Sequence, residues 1–461
     1  MPVLLTRDLG IFIAAARFAQ MPPDALRPIR VAFADTVCVT IAGAKEAAPV
    51  KLRAMLEPQG TQSLLLGSGQ RANALDAAWI NGTSAHALDF DDIAERGGHV
   101  SAVLVPAVLA EAEALGASGE QMALAYAVGF ETIAELSRRD EEQHHDTGWH
   151  PTPVFGAIGA AAACASLRGL DAHEAAMAIA IAASQSAGIM SNVGTMTKAF
   201  HAGRAAHAGV ASARLASTGF TGAPDAMEHT AGFLAAVSPS GLIDTRSPLI
   251  AGTRWQILAD NRLSVKKYPL CFFAHRATDG LLDLLQAQAI DSADVERVTV
   301  QMGGPNAAVL RYALPHTGLE AKFSMQFAMA CGLVARRLSL AEFTDEFVQR
   351  PDVQALMKRV SVQTLSEDPR KPGYSVYDRV VIDTRSGRQL DSGEVSRLRG
   401  SADVPLTRDD LRQKFDGCIQ ASGLPIRAEP LFEALMSIEK VRNARTLAAL
   451  MMTYANLHSM N

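Results

Sequence analysis

Residues 155–167 read FGAIGAAAACASL, and eight of these thirteen residues are alanine or glycine. Side chains this small let neighbouring helices approach closely. Two prolines, Pro151 and Pro153, restrict the backbone just before the segment. The stretch therefore predicts a helix at the centre of a helical bundle.

The chain on both sides of this segment carries helix-start signals. A capping box places a Ser, Thr or Asp three residues before an acidic or amide residue. It occurs at Ser118/Gln121, Asp171/Glu174 and Thr407/Asp410. Residues 1–262 read as one helix after another, and amphipathic helices of the same type return after residue 400. We therefore predict a large all-helical domain formed by both chain ends, residues 1–262 and 401–461.

Between these segments the periodicity changes from helical to strand-like. Apolar and polar residues alternate at 298–302, 360–365 and 379–383, and Ser386-Gly387 indicates a turn. Helical segments at 323–338 and 353–359 are interleaved with these strands. We predict a smaller α+β domain over residues 263–400, so the expected fold class is mostly α.

The composition argues against several classes of protein. With 461 residues, 48% hydrophobic and 20% charged, the chain is long enough for two cores. The net charge is −5 and no basic run is present, so nucleic acid is not an expected partner. Polar residues interrupt the apolar runs before 18 positions, so no membrane span is expected. Five widely spaced cysteines are typical of reduced thiols, which predicts a cytoplasmic protein.

Polar chemistry is concentrated in residues 81–99, NGTSAHALDFDDIAERGGH. Three aspartates follow an apolar helical stretch, and His86 and His99 flank them. Acidic residues in the last turn of a helix oppose its dipole, and a broken local rule often marks a functional site. The alternative interpretation is a solvated acidic loop.

Three further segments carry candidate chemistry, each with a plainer alternative. Residues 148–153, GWHPTP, place His150 before the small-residue helix, whereas the cluster of His144, His145, Asp146 and His150 is typical of an exposed His-rich loop. Residues 196–209, MTKAFHAGRAAHAG, carry Lys198, His201, Arg204 and His207 close to one helix face, which an exposed basic face also explains. Residues 266–276, KKYPLCFFAHR, lie at the predicted domain junction, where ligand sites are favoured, although a linker with solvated lysines fits too.

Two other motif matches are weak. Residues 64–72, LLLGSGQRA, fit a dinucleotide-binding pattern, but the region lacks a βαβ context, so we predict a tight turn. The residues His144, His145, Asp146 and His150 have no recognised metal-ligand spacing, so we predict no metal site.

The motifs together resemble those of the MmgE/PrpD family. The matching segments occur in the family's order over essentially the whole chain. They are HALDFDD at 86–92, His99, GWHPTPVFGAIGAAAA at 148–163, MTKAFHAGRAAHAG at 196–209, ASTGFTGAPDAME at 216–228, KKYPLCFFAH at 266–275 and KFSMQFAMA at 322–330. The resemblance implies a helical domain built from both chain ends, an α+β lid domain, a homodimer, and no metal or other cofactor.

By this likeness, Asp89, His99, His150, Lys198 and Lys266 fall on active-site positions of the family. We assign catalysis to Asp89, His99, His150 and Lys198, and leave open which of the first three is the base. We assign substrate binding to Lys266, Arg204, Cys271, His275 and Ser324.

Three positions depart from the cis-aconitate decarboxylase branch of the family. Cys271 stands where that branch has a histidine, Phe327 where it has a tyrosine, and Ile93 where it has a threonine. The first two changes each remove a proton donor, which argues against decarboxylation.

The family's reactions share the loss or gain of a proton or CO₂ next to a carboxylate. Lysine meets the negative charge that develops, and histidine, with an ordinary pKa of about 6.5, exchanges the proton. We expect a metal-independent lyase, a hydro-lyase like 2-methylcitrate dehydratase, acting on a small hydroxy di- or tricarboxylate. The alternatives are a dicarboxylate epimerase like iminodisuccinate epimerase, a cis-aconitate decarboxylase, and a non-catalytic helical binding protein.

Overall fold

The computed structural model describes residues 4–94, 96–259, 262–366 and 375–452. Within these residues the chain forms two compact units. The first, called here the helical unit, comprises described residues of 4–87, 91–264 and 418–452. The second, called the mixed unit, comprises residues 88–90 and described residues of 265–417.

Helices account for most of the described chain, which confirms the mostly-α fold class. Before residue 265 they are α1 (Leu5–Ala15), α2 (Leu26–Gly43), α3 (Ala47–Leu56), α4 (Ala74–Ala87), α5 (Ser101–Leu115), α6 (Gly119–Ser137), α7 (Pro151–Arg168), α8 (Ala172–Ala183), α9 (Met196–Ala216) and α10 (Phe233–Val237). After it they are α11 (His275–Ala287), α12 (Gly304–Val309), α13 (Gly318–Ala321), α14 (Met325–Ala335), α15 (Asp345–Val348), α16 (Pro351–Met357), α17 (Arg408–Ser422), α18 (Ala428–Leu435) and α19 (Ala444–Leu450).

Strands are short, apart from those of one sheet in the mixed unit. They are β1 (Ser63–Leu64), β2 (Arg71–Ala72), β3 (Ile93–Ala94), β4 (Leu263–Ser264), β5 (Val295–Gly303), β6 (Val360–Leu365), β7 (Arg379–Thr384) and β8 (Gln389–Asp391). Strands β1 and β2 pair as an antiparallel hairpin, and β3 pairs antiparallel with the sequence-distant β4. The turn between β1 and β2 contains Gly67 and Gly69 with φ of 77° and 70°, which confirms the tight turn predicted for this segment.

The small-residue segment lies in α7 and forms the centre of the helical unit. Every residue of α7 from Thr152 to Ala165 is buried, and the helix packs against α5, α6, α8 and α9. A Cβ atom on Gly159 would lie 2.4 Å from the Ile133 side chain and 2.9 Å from the backbone oxygen of Gly129. Because α6 approaches this closely, glycine is required there, and the predicted central helix is confirmed.

Helices α4 and α9 cross at two glycines. A Cβ atom on Gly203 would lie 2.2 Å from both the Trp79 carbonyl oxygen and Thr83 Oγ1. A Cβ atom on Gly82 would lie 2.8 Å from the Cα atom of Gly203. This contact fixes the relative position of two helices that carry candidate site residues.

The mixed unit is built on a four-stranded sheet in the order β6-β5-β7-β8. Strand β5 is parallel to β6 and antiparallel to β7, and β7 is antiparallel to β8. Val298 pairs with Val360 on one side and with Ile382 on the other, and all three are buried. Helix α11 packs against β7 and α14 against β6. The three strands predicted from alternation are therefore confirmed.

Two regions differ from the sequence interpretation. The apolar stretch from Leu431 to Met452 is divided among α18, a short 3-10 helix at Ile438–Lys440, and α19. Between residues 217 and 262, a region interpreted as helical, the described chain is mostly irregular and contains α10 and a 3-10 turn at Gln256–Leu258. Across the described ranges, we find no helix that combines the length and the apolar character needed to cross a membrane.

Candidate active site

The acidic segment begins where α4 ends. Helix α4 stops at Ala87, so Asp89, Asp91 and Asp92 lie beyond the helix and not in its last turn, as the sequence interpretation had them. All three aspartates are buried, and His86 in the last turn of α4 is buried as well. The alternative of a solvated acidic loop is therefore wrong.

Asp91 joins two histidines of the helical unit. Its carboxylate oxygens lie 3.0 and 2.9 Å from Nδ1 of His86, and Oδ2 lies 2.9 Å from Nδ1 of His99. The imidazole ring centroids of His86 and His99 are 4.3 Å apart. Because the carboxylate accepts a hydrogen bond at Nδ1, the other ring nitrogen, Nε2, is the proton-accepting atom of a neutral ring.

Asp91 is ionised in this network. Burial alone raises the pKa of Asp91, but the two neighbouring histidines lower it more, so its pKa lies well below the ordinary value. A buried carboxylate that stays charged stabilises a proton on an adjacent imidazole, as in a catalytic triad. The network therefore suits a histidine that takes up a proton.

A second pair of histidines lies beside the first. Nδ1 of His150 is 3.1 Å from Nδ1 of His201, so one ring donates and the other accepts. The ring of His150 stacks near that of His86 with centroids 6.1 Å apart. His150 precedes α7 as its N-terminal cap residue, and its backbone N–H donates to the Gly188 carbonyl oxygen. The start of α7 and the Gly188 carbonyl group thus fix the backbone of His150, from which the imidazole extends.

Burial and neighbouring groups, among them Lys198, lower the pKa values of this histidine pair. Lys198 lies in the first turn of α9, where Thr195 caps the helix by accepting a hydrogen bond from the Thr197 N–H. Burial and then the positive charge of Lys198 hold the pKa of His150 well below its ordinary value. Burial, His86 and Lys198 lower the pKa of His201 to about 4. Both histidines are therefore neutral near pH 7.

The burial of α9 decides between the two interpretations of its basic stripe. Lys198 and His201 are buried, so they do not form an exposed basic face. Arg204 and His207 are half-buried further along the helix. Nη1 of Arg204 lies 2.6 Å from Nδ1 of His207, and its guanidinium lies 5.3 Å from the ring centroid of Trp79. Arg204, assigned to substrate binding, thus contacts an aromatic and an imidazole side chain.

Hydrogen bonds on the far side of the acidic segment hold it in place. Oγ of Ser101 donates to Asp92 Oδ2 at 2.5 Å and lies 2.7 Å from the hydroxyl of Tyr126. The backbone N–H of His99 donates to Thr152 Oγ1 at 3.0 Å. Gly98 has a φ of 70°, and a Cβ atom there would lie 2.6 Å from Thr152 Oγ1. The glycine before His99 is therefore needed for the loop to reach α7.

In the mixed unit, Asp89 pairs with Lys266. The Lys266 ammonium donates to the Asp89 carbonyl oxygen at 2.8 Å and lies 3.0 Å from Asp89 Oδ1. Lys266 is 1% exposed, so it is not a solvated linker lysine. Its neighbour Lys267 is partly exposed and pairs with Asp410 at 3.2 Å. Adjacent lysines thus differ sharply in environment.

Three further residues assigned to substrate binding lie in the same unit. His275 is fully buried, and Nε2 lies 3.2 Å from the Leu270 carbonyl oxygen. Burial and the charge of Lys266 lower the pKa of His275 to about 3, so it is neutral. Ser324 caps α14 by accepting a hydrogen bond from the Phe327 N–H at 3.0 Å. Cys271 is buried, and its backbone N–H donates to the Lys322 carbonyl oxygen.

The His-rich loop is only partly exposed, which corrects the alternative interpretation. His144 is buried edge-on against the ring of Phe155, and burial lowers its pKa to about 4. His145 and Asp146 are more exposed and lie 3.3 Å apart. The histidine packs as a core residue of the helical unit.

The His86–Asp91–His99 network contains ligand types that suit a divalent cation. Two imidazole nitrogens and a carboxylate oxygen lie within 4.8 Å of one another. Mutual hydrogen bonding between the same atoms accounts for the arrangement without a metal. Metal independence stays a prediction.

Sequence reasoning assigned His99, His150 and Lys198, which the helical unit brings close together around His86. It assigned no role to His86, Asp91 or His201. The motif HALDFDD contained the signal for the first two, since a histidine at a helix end preceded an aspartate by five residues. His201 lay on the same face as Lys198, one turn further along.

Comparison with curated proteins shows similarity to cis-aconitate decarboxylases. The Homo sapiens enzyme is 27% identical over 389 residues, which cover 81% of this chain and 79% of the relative. The Mus musculus enzyme is 28% identical over 396 residues, with 81% and 78% covered. The cis-aconitate decarboxylase-like protein oryM of Aspergillus oryzae is 25% identical over 477 residues, with 97% of each chain covered.

Two family models match the chain in sequence order. The MmgE/PrpD N-terminal domain matches residues 7–245, which include the histidine network and Lys198. The MmgE/PrpD C-terminal domain matches residues 268–429. Since the first model alone matches more than half of the chain, this protein belongs to the MmgE/PrpD family.

Proposed function

We propose that this protein is a lyase that moves a proton at a carbon next to a carboxylate of a small polycarboxylate. The observation that carries the proposal is the buried network in which Asp91 joins His86 and His99. Beside it lie two neutral histidines and the ammonium of Lys198. Few structural roles require so many titratable groups in the interior of a helical bundle.

Proton abstraction is the first step that these residues support. Nε2 of His99 takes a proton from the carbon, and its Nδ1–H remains bonded to Asp91. The imidazolium that forms is stabilised by the ionised carboxylate, which stays deprotonated. Asp89 is an alternative base in the proposed catalytic set, which comprises Asp89, His99, His150 and Lys198.

Charge stabilisation is the second requirement. Removing a proton next to a carboxylate builds negative charge on the carboxylate oxygens, and Lys198 is the buried cation of the histidine cluster. In surroundings that exclude water, such a contact is worth several times its value in bulk solvent. Substrate carboxylates and hydroxyls would be bound by residues assigned from the family likeness, which are Lys266, Arg204, Cys271, His275 and Ser324.

We infer dehydration as the overall reaction. A hydroxyl group on the neighbouring carbon leaves as water when a general acid protonates it, and a carbon–carbon double bond forms. The proton that His99 abstracts is the one available to the leaving hydroxyl group, while neutral His150, which shares a hydrogen bond with His201, can hydrogen-bond to that group. The substrate class is a hydroxy di- or tricarboxylate of the 2-methylcitrate type.

Decarboxylation of cis-aconitate is the second candidate, and the names of the relatives favour it. Two observations in the mixed unit weigh against it. Phe327 is fully buried, with its ring centroid 5.1 Å from that of Phe343, so no proton donor is present at this position. Cys271 is buried and carries a thiol in place of an imidazole. These are the positions where the resemblance leads us to expect a tyrosine and a histidine.

Nuclear magnetic resonance with a panel of substrates in D₂O separates the candidates. The panel contains 2-methylcitrate, citrate, cis-aconitate and an amino dicarboxylate. New alkene signals from a hydroxy acid would support dehydration. Loss of a carboxyl carbon from cis-aconitate would instead assign decarboxylation, and deuterium exchange in an unchanged skeleton would assign epimerisation. No reaction with any compound would favour a binding protein.

Three further properties belong to the proposal: two come from the family likeness, and the compartment comes from the cysteine usage. We propose that it is a homodimer, so light scattering should give about twice the chain mass of 48.9 kDa. We also propose that it is cytoplasmic and uses no cofactor. Activity that is lost on exhaustive chelation and restored by one divalent ion would contradict the last point.

A further inference from the structure

Asp89 has a backbone conformation that its surroundings must maintain. Its φ is 50°, in the left-handed region that few residues other than glycine adopt, although aspartate and asparagine adopt it more often than other side-chain-bearing residues. Such a conformation persists where neighbouring groups fix it, and it is frequent at functional sites. The groups that fix it in the mixed unit are two lysines.

Lys266 holds Asp89 directly. One ammonium group donates to the Asp89 carbonyl oxygen and pairs with its carboxylate. The backbone and side chain of Asp89 are thereby fixed relative to each other. The contact depends on where the backbone of Lys266 itself is held.

Lys414, on α17, holds the neighbours of this pair. Its ammonium donates to the Phe90 carbonyl oxygen at 2.7 Å and to the Lys266 carbonyl oxygen at 2.8 Å. The same group lies 4.0 Å from the centroid of the Phe90 ring, within cation–π range. Lys414 is also buried, at 9% exposure. One side chain therefore connects the residue after Asp89 to the backbone of Lys266.

We propose that Lys414 is a positioning residue that holds Asp89 and Lys266 in their working arrangement. This inference rests on the proposed function, in which Asp89 is a catalytic residue and Lys266 binds substrate. Lys414 acts through backbone carbonyls on both sides of the Asp89–Lys266 contact. An apolar side chain at position 414 would leave two buried carbonyl oxygens without their donor, so the segment would have to rearrange.

A double-mutant cycle tests this role by activity. Lys414→Met should lower kcat/KM at least tenfold, on the order of the loss of one hydrogen bond to a charged group, while Lys414→Arg should recover part of it. If Lys414 acts through Lys266, the variant carrying both Lys414→Met and Lys266→Met should be within about threefold of Lys266→Met alone. If the double variant loses kcat/KM by the product of the two single losses, the two lysines act independently. That result would overturn the proposal. Lys358→Met, an exposed lysine of the same unit, is the matched control and should keep full activity.

Chemical labelling tests the same arrangement without any substrate. Acetic anhydride modifies accessible amines, and mass spectrometry separates Lys266 from Lys267 in one peptide. Relative to Lys267, Lys266 should be labelled about tenfold faster in folded Lys414→Met than in the native protein, because burial no longer protects it. Lys414→Gln, whose side chain is shorter and uncharged, replaces Lys414→Met if the latter does not fold, and the same faster labelling of Lys266 is expected. Unchanged labelling in a folded variant would overturn the proposal. Faster labelling in a protein that converts no substrate would leave Lys414 as the group that holds the segment and would refute the proposed function instead.

Discussion

At the scale of single residues, Lys198 and Lys267 show how different two lysines of one chain can be. Lys198 is buried in the first turn of α9 beside neutral histidines, whereas Lys267 is partly exposed and paired with Asp410. Lys198→Ala should lower kcat/KM about 100-fold or more, because it removes a cation that meets developing negative charge. Steady-state kinetics with the substrate that the native protein converts measure the change in kcat/KM. A thermal unfolding curve checks that the variant is folded.

Lys267→Ala is the control for that substitution. It removes a lysine whose ion pair is exposed enough to contribute little to stability. We expect its kcat/KM to stay near the native value. Equal activity of the two variants would mean that Lys198 is not a carboxylate clamp.

Asp91 offers a second test at this scale. Asp91→Asn keeps the size of the side chain but removes the charge that stabilises an imidazolium on His99. We expect kcat to fall at least about 100-fold with little change in KM, because the charge acts when the proton moves. The matched control is Asp146→Asn, since Asp146 faces His145 in an exposed pair. A loss confined to KM would place Asp91 in substrate binding.

Sequence could predict individual site residues but not their partnerships. His99, His150 and Lys198 lay in recognisable motifs. The contact between His150 and His201 joins positions 51 residues apart, and only the packing of α7 beside α9 creates it. The same holds for Lys414, which lies 324 residues from Phe90 and in no motif that carries chemistry. Burial, which sets the pKa values of these groups, is likewise a property of the folded chain.

At the scale of elements, the crossing of α4 and α9 is the contact most sensitive to one atom. Gly203→Ala would bring a methyl group within 2.2 Å of two backbone or hydroxyl oxygens, so the helices would have to separate. We expect a loss of about 1–3 kcal/mol in the free energy of unfolding, the usual effect of overpacking. Activity should fall as well, since α9 carries Lys198 and His201. Urea denaturation followed by circular dichroism measures the change.

Gly417 in α17 is the matched helix glycine for this prediction. Nothing lies within 4 Å of a Cβ atom built there. Gly417→Ala should raise the free energy of unfolding by about 0.4–1 kcal/mol through helix propensity and lower unfolded-state entropy. If both alanines have the same effect, the close crossing of α4 and α9 does not constrain the helical unit.

Capping boxes and alternation predicted most elements correctly, because these signals are local. The stretch from Leu431 to Met452 is divided by contacts with a distant part of the chain. There the Gly119 N–H donates to Val441, and the Ala444 N–H donates to Ala117. Backbone groups that bond to the start of α6 are unavailable to a continuous helix, so the chain turns. Within the stretch, only Asn443 signals the break locally, since its side chain caps α19 by accepting a hydrogen bond from the Arg445 N–H.

At the scale of the whole molecule, buried histidines should make stability depend on pH. Four have pKa values lowered to between about 3 and about 4, chiefly by burial: His144, His201, His207 and His275. The unfolded chain binds these protons near pH 6.5 and the folded chain does not, so stability is lost as the pH falls from about 6.5 toward 4. The pKa of Glu131 is raised to about 7 and that of Asp378 to about 6. These two acids therefore stabilise the folded chain as the pH falls, which opposes the effect of the histidines.

Because the histidines whose pKa values are lowered outnumber the acids whose pKa values are raised, the free energy of unfolding should be lower at pH 5 than at pH 7. The difference should be on the order of a few kcal/mol. Denaturant midpoints at the two pH values, at constant ionic strength, measure it. Equal or greater stability at pH 5 would mean that these histidines are accessible to protons in the folded protein.

The division into a helical and a mixed unit concerns the whole chain too. Mostly helical periodicity with one interval of strand alternation was sufficient to predict both kinds of structure. The independence of the two units as folding domains stays a prediction, since the predicted boundaries rest on changes of periodicity alone. Sequence patterns report local structure, whereas independent folding depends on the energy of each complete core.

In the proposed function, this chain moves a proton at a carbon next to a carboxylate. Deuterium incorporation in D₂O, followed by proton and carbon magnetic resonance on the polycarboxylate panel, tests it most directly. The native protein should make alkene from a hydroxy polycarboxylate, and the reverse reaction should place deuterium on the carbon next to the carboxylate. Lys198→Ala should do both about 100-fold more slowly. Unchanged spectra for every compound with the native protein, or equal rates for the two proteins, would contradict the proposed function.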